Sequence, residues 1–280
     1  MTLFNNKYDW LYTYRYFRQL WKQGLDNPFK GMYEERKKPI YIFGNGPSLK
    51  TQIEKMEANL EKYKDYDCSV VNDFVNYPIF EKIKPKYITM SDPMFFIETK
   101  NKERGRKAIN TFAEKTDWDM TFFIPYRLRF GSYLEPVRQN AHIKIIPYHD
   151  AFYRGKRLTP FASWLFKKGL GNGEFETVVL NAMYAAMMMG YKEINVYGID
   201  HNFFDSLAMT SQNVLCYKFN YFYGESQWKP VGASMLRFLE LKETIFRGHL
   251  IMEKFAEDIG VKIYNCTPNS LVDAYERKEE

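Results

Sequence analysis

Seven short apolar runs recur from residue 39 onward, and they constrain the fold more than any other feature of the chain. They are PIYIF (39–43), CSVV (68–71), KYITM (86–90), MTFFI (120–124), HIKII (142–146), EINVY (193–197) and VKIYN (261–265). Each is nearly continuous in apolar residues, as strands become when both faces of a sheet are covered. A strand with one wet face would alternate instead. Helix-like segments lie between many of them, at 48–62, 98–116, 175–190 and 236–259. This alternation predicts an α/β chain, a Rossmann-like and mostly parallel sheet with helices on both faces. With 280 residues there is enough chain for one large domain and a sizeable core.

Three stretches depart from the rhythm. Residues 1–37 include YDWLYTYRYFRQLWKQGL, dense in aromatic and basic residues. As a helix this segment would carry Trp10, Tyr14, Phe17 and Trp21 along one side, with Arg15, Arg18 and Lys22 elsewhere. It reads either as a helix packed on the outside of the domain or as an amphipathic anchor lying on an anionic membrane. GMYEERKKP then reads as a charged linker, so the expected division is 1–37 as a helical segment and 38–280 as the main domain. Residues 147–174 and 201–234 are long, aromatic and irregular, in the manner of lids or substrate walls.

A net charge of +6 suits an anionic ligand or an anionic surface. The charge is scattered, and no nucleic-acid-binding motif accompanies it. The three cysteines, Cys68, Cys216 and Cys266, are far apart and form no CxxC pair. That argues against a disulfide framework or a zinc site and fits a reducing, cytoplasmic setting. No run approaches the roughly 18 apolar residues of a membrane span, and the N-terminal segment lacks a signal-peptide core.

The first apolar run ends in Gly44-Asn45-Gly46-Pro47-Ser48, and a helix-like segment follows. Glycines allow a tight turn and close ligand approach, Pro47 suits a first helical turn, and Ser48 can cap or donate. The new helix would point free N–H groups at an anion. The turn is not a Walker loop, and Leu49 stands where a dinucleotide fingerprint needs its third glycine. In an open parallel sheet, ligands bind beyond the carboxyl ends of the strands. Asn45, Asn72, Ser91-Asp92, Asp200-His201 and Asn265 fall at those ends and make a plausible nucleotide site.

GNGPSL, VNDF, SDPMFF, GYKEINVYGID and VKIYNCTPNSLVDA, taken in order over roughly residues 38–275, resemble the bacterial sialyltransferases of glycosyltransferase family 42. They also resemble the related MptE-like domain family of 6-hydroxymethylpterin diphosphokinases. The resemblance implies a variant GT-A fold and an enzyme of surface polysaccharide biosynthesis. It implies a nucleotide-sugar donor, CMP-linked and sialic-acid-like, and a glycan or lipid-linked glycan acceptor; the basic aromatic N-terminal segment adds the expectation of a cytoplasmic enzyme held peripherally at the inner membrane. It gives donor binding to Gly44, Asn45, Gly46, Ser48 and Asn72, with Asp92 where the family has Asn. Thr177 matches the first member of a family Thr-Ser pair, and Val178 replaces the second. The MptE-like alternative would transfer pyrophosphate from Mg-ATP to a pterin, and a nucleotide-binding module without catalysis is the remaining reading.

Sugar transfer needs a base for the acceptor hydroxyl, and histidine is the usual one. Of the four histidines, His201 follows YGID at a strand's carboxyl edge, and Gly248-His249 echoes the family's catalytic GH dipeptide. Either is a candidate, with Asp200 orienting His201 or serving as the base itself. Tyr221, Tyr223 and Trp228 are candidates to steady the departing phosphate. Asp117 and Asp119 form an Asp-x-Asp pair, but before a strand and so at the edge away from the ligand. No metal site or tightly held cofactor is therefore expected.

Overall fold

All seven apolar runs form strands. In chain order these are β1 (Ile40–Phe43), β2 (Asp67–Val71), β3 (Tyr87–Thr89), β4 (Met120–Pro125), β5 (Ile143–Tyr148), and then, after the short β6 (Phe152–Tyr153) and β7 (Asn172–Gly173), β8 (Glu193–Tyr197). The ribbon strands β9 (Leu207–Met209), β10 (Leu215–Phe219) and β11 (Gln227–Pro230) follow, then β12 (Lys262–Asn265) and β13 (Glu276–Arg277). The structure, a computed structural model, describes residues 9–153, 155–173, 176–219 and 227–278.

The main sheet has eight strands in the order β13-β12-β8-β1-β2-β3-β4-β5. Every pairing within it is parallel. The chain builds outward from β1 to β5, returns to lay β8 on the other side of β1, and continues outward to β12 and β13. The order therefore reverses between β1 and β8, the topological switch point where such sheets open a crevice. The edges are blunted: β13 is two charged residues long, and β5 carries Lys144 and Pro147.

Nine helices are present among the described residues: α1 (Asp9–Gln23), α2 (Leu49–Ala58), α3 (Leu60–Lys64), α4 (Pro78–Ile83), α5 (Lys102–Lys115), α6 (Glu135–Gln139), α7 (Pro160–Lys167), α8 (Val178–Met188) and α9 (Met235–Asp258). They cover both sheet faces, as the two-residue period of β1 makes visible. Ile40 and Ile42 join a core with Leu20 of α1, Phe166 of α7, Met183 of α8 and Phe255 of α9. Tyr41 and Phe43 join a second core with Met56 of α2, Phe80 of α4 and Phe112 of α5. Helix α8 is buried on every side from Val179 to Met187, and it packs against both the sheet and α9. A helix without a polar face belongs in such a central position.

Some expected boundaries shift. The helix expected over 48–62 breaks at Asn59, whose ψ of 41° is not helical, so α2 and α3 are separate. The helix expected from residue 98 begins at Lys102, because Thr99 ties the backbone of Asn101 into a turn first. The irregular stretch 147–174 contains α7, and 201–234 contains a three-stranded antiparallel ribbon in the order β11-β10-β9.

Helix α1 does not pack through its line of aromatics. Among its described side chains Tyr16 and Leu20 are buried, and the Tyr16 hydroxyl donates to the Leu170 carbonyl at 2.5 Å. Tyr14, Phe17 and Trp21 stand exposed, and the side chain of Trp10 lies outside those described. Among the described residues, no helix is long and apolar enough to cross a membrane.

Candidate active site

At the switch point the turn after β1 is fastened to the end of β8. The Gly44 N–H donates to the Tyr197 carbonyl at 2.8 Å, and the Gly46 N–H donates to the Gly198 carbonyl at 2.9 Å. A methyl group on Gly44 would run into the Gly198 carbonyl, and one on Gly46 would overlap the Asp200 carboxylate. These glycines are required by protein packing on protein. The anion facing the start of α2 is also supplied by the chain. Asp200 accepts from the Ser48 N–H at 3.0 Å and from the Ser48 hydroxyl at 2.8 Å. Burial pushes the Asp200 carboxyl upward, and the two bonds from Ser48 pull it back. Both oxygens of Asp200 are thus committed to Ser48.

Beside this splice lies a cavity of about 440 Å³ at the carboxyl ends of β1, β2 and β8. It gathers Asn45, Gly46, Asn72, Asp92, Thr177, Asp200 and His201 from the residues singled out in the sequence. Gly44 is not in its wall. Ser48 lines a different recess, of about 350 Å³, on another side of α2. In that recess Arg277 is committed to the Thr267, Ser270 and Val272 carbonyls.

Two amide oxygens mark the main cavity as a place for a polar ligand. The Oδ1 atoms of Asn45 and Asn72 are buried and, among the described residues, have no hydrogen-bond partner. The Asn45 amide nitrogen donates to the Val71 carbonyl at 3.3 Å, which fixes that side chain. Asn72 holds φ at +48° and His201 at +49°. Left-handed backbone is uncommon outside glycine, and strain of this kind gathers at functional sites. Of the other expected contacts, Asp92 accepts from the Met94 N–H at 2.9 Å and so caps its own turn. Thr177 caps α8 by position, with no side-chain bond to the helix.

The two candidate histidines form a chain. The His201 and His249 Nε2 atoms lie 3.0 Å apart, and His249 Nδ1 is 2.9 Å from the Tyr275 hydroxyl. That hydroxyl donates to the His249 carbonyl at 3.3 Å, so its oxygen is left to accept from His249 Nδ1–H. His249 Nε2 then accepts from His201 Nε2–H, and His201 Nδ1 has no hydrogen-bond partner among the described residues. His249 is fully buried and reaches a ligand only through His201, which lines the cavity. Burial, with Lys242 nearby, pushes the His201 imidazole down to about 3, and burial beside His201 holds His249 well below the usual range. Of the other histidines, His149 is buried against the Asp26 carbonyl, and His142 pairs with Asp119 at the opposite sheet edge. Asp117 pairs there with Lys84.

This pair predicts an acid-sensitive fold. Each histidine is depressed in the folded chain, so below pH 6.5 the unfolded chain binds protons that the folded chain does not, for His201 down to about 3. Stability is then complete above pH 6.5 and falls as the pH drops, at up to about 1.4 kcal/mol per pH unit for each histidine. Urea midpoints measured from pH 8 to 5 should be flat and then fall. Replacing His249 with phenylalanine should make the fall shallower.

Several wall residues carry no signal in the apolar pattern. Arg104 of α5 reaches the buried Asp73 carboxylate and lines the cavity. Lys242 of α9 lies over the Phe203 ring at 3.8 Å, and burial lowers its amine. It stands seven positions before His249 on the same helix, so a heptad reading of α9 would have found it. Tyr217 and Lys218 come from the ribbon. Trp228 lies on β11, half exposed, and Tyr221 and Tyr223 fall outside the described residues. The cavity continues past Asn72, Asp92 and Thr177 into a recess of about 380 Å³ lined by Ser91, Arg127, Asp150 and Asn181.

No protein-family model matches the chain, and no curated protein matches it in sequence. A solved structure does match in fold: the MAf glycosyltransferase from Magnetospirillum magneticum AMB-1, with a TM-score of 0.51 and 13% identity. The match covers 94% of this chain but 38% of the other. The chain therefore spans well under half the length of that protein, and at this identity the likeness is one of fold.

Proposed function

We propose that this chain is a glycosyltransferase that moves a sugar from a nucleotide donor to a glycan acceptor in the switch-point cavity. The observation that carries the reading is the meeting of two unpartnered amide oxygens, on Asn45 and Asn72, with a neutral histidine in one cavity. The amide oxygens suit ribose hydroxyls or a base amino group. His201 Nδ1 suits the acceptor hydroxyl. The fold shared with a glycosyltransferase supports sugar transfer in general, and the ordered motifs of the sialyltransferase resemblance add the CMP-linked, sialic-acid-like donor.

In the proposed step the acceptor oxygen attacks the anomeric carbon and its proton passes to His201 Nδ1. The bond from that carbon to the donor phosphate oxygen breaks, and the electron pair leaves with the phosphate. A single displacement inverts the anomeric centre. Lys242 and Arg104, both on the cavity wall, offset the charge gathering on the phosphate. Burial is the main cause that holds His201 down and the Lys242 charge adds to it; the bound phosphate offsets that second part, so donor binding raises the basicity of His201. Lys242 and Arg104 supply this charge from the protein, and the mechanism uses no metal.

A panel of nucleotide sugars assayed for slow donor hydrolysis tests the reading. Release of CMP from a CMP-sugar, unchanged by a chelator, is the expected result. If every CMP-sugar fails while another nucleotide sugar turns over, the donor assignment is wrong and the transferase stands. Strict Mg-ATP-dependent transfer to a pterin would replace the transferase with a diphosphokinase.

A further inference from the structure

We infer that the outer face of α1, joined by the exposed face of α7, docks on an anionic lipid bilayer. This surface lies apart from the cavity, and the inference does not depend on the sugar-transfer reading. Tyr16 and Leu20 turn one side of α1 into the core, which leaves Tyr14, Phe17 and Trp21 on the outside. Trp21 is 78% exposed and Tyr14 59%. At 100° per residue these three form one stripe, and Arg15, Arg18 and Lys22 form the neighbouring stripe. The surface extends onto α7: Phe17 meets Phe161 with ring centroids 5.3 Å apart, and Phe161 stacks on Trp164, which is 51% exposed. Lys167 and Lys168 are exposed at the end of that helix.

Charge selects the occupant. From residue 10 to residue 25 there is no Asp or Glu. Arg15, Arg18 and Lys22 are exposed, and none is in an ion pair among the described residues. A second copy of the chain seated here would bring like charges together with no carboxylate to separate them. An anionic headgroup layer answers those charges and gives the rings a boundary to enter. The inward side of α1 is firmly held, because Gln23 donates to Asp150 at 2.8 Å and Gln19 accepts from the Phe152 N–H at 3.1 Å. Asp150 and Phe152 line the second recess. A docked α1 would thus set that recess one helix away from the bilayer.

Vesicle co-sedimentation of the full chain tests this, with phosphatidylcholine alone and with added phosphatidylglycerol. Binding is expected only with the anionic lipid, weakening as salt is raised. Each basic residue near such a surface contributes about fivefold to partitioning, so Arg15→Gln, Arg18→Gln and Lys22→Gln together should reduce it roughly 100-fold. Phe17→Ser with Trp21→Ser should reduce it at least tenfold. Circular dichroism confirms that each variant is folded, and brominated lipid should quench fluorescence in the wild type but less in Trp21→Phe. Equal partitioning into both vesicles, no partitioning, or unchanged partitioning of the folded variants would overturn the inference. So would a dimer in sedimentation velocity that the Phe17/Trp21 variant dissolves.

Discussion

Replacing His201 with alanine should slow sugar transfer by about 10²–10⁴-fold, or roughly 3–5 kcal/mol of barrier, while donor affinity changes little. The reason is its position. Only His201 of the pair lines the cavity, and His249 is linked to the cavity through it. His249→Phe should act differently. It removes the acceptor that fixes His201 Nε2–H, so the ring is free to present either nitrogen. A smaller loss in kcat is expected, with a displaced pH–rate profile and an unchanged donor KM. Steady-state kinetics over pH for both variants make the comparison. Equal losses with identical profiles would show that neither histidine touches the acceptor, and full activity in His201→Ala would remove it as the base.

Gly44→Ala should be strongly destabilising, at about 3 kcal/mol or more in urea unfolding. Overpacking usually costs about 1–3 kcal/mol when side chains can yield. Here the obstacles are the Gly198 and Tyr197 carbonyls, both backbone, and Gly198 itself holds φ at +69°. Making room means lengthening the bonds from Gly44 to Tyr197 and from Gly46 to Gly198. Gly46→Ala offers a contrast, since its foremost obstacle is the Asp200 side chain. Adding Asp200→Ala should relieve Gly46→Ala in part and leave Gly44→Ala unrelieved. A Gly44→Ala protein as stable as wild type would contradict the close backbone approach.

The sheet was legible in the sequence because burial on both faces leaves unbroken apolar runs, and each of the seven became a strand. Missed elements had weaker signatures. β13 is two charged residues long, and the ribbon β9–β11 lies off the core, so neither shows a buried pattern. α7 was hidden because PFASWLFK is apolar on nearly every position and reads equally as loop wall or helix. Strand-end position pointed to Asn45, Asn72 and His201, which line one cavity. It could not show that Asp200, 152 positions beyond Ser48, caps the helix that the glycine turn begins. Nor did it reach Lys242, which lies inside α9 and follows only from the seven-residue step back from His249. For α1, spacing alone puts Tyr14, Phe17 and Trp21 on one side, and the burial of Tyr16 and Leu20 decides that this side faces outward.

The splice between β1 and β8 also bears on the order of folding. Asn45 and Asn72 belong to the half-sheet β1–β5, and Asp200 and His201 to the half that begins with β8. Strands within the first half are close in sequence and can pair early, whereas joining β1 to β8 closes a much longer loop. The cavity has no second wall until that closure. Ligand binding should therefore appear only in the last phase of refolding, after most of the secondary structure, which makes it a direct clock for the joining of the two half-sheets.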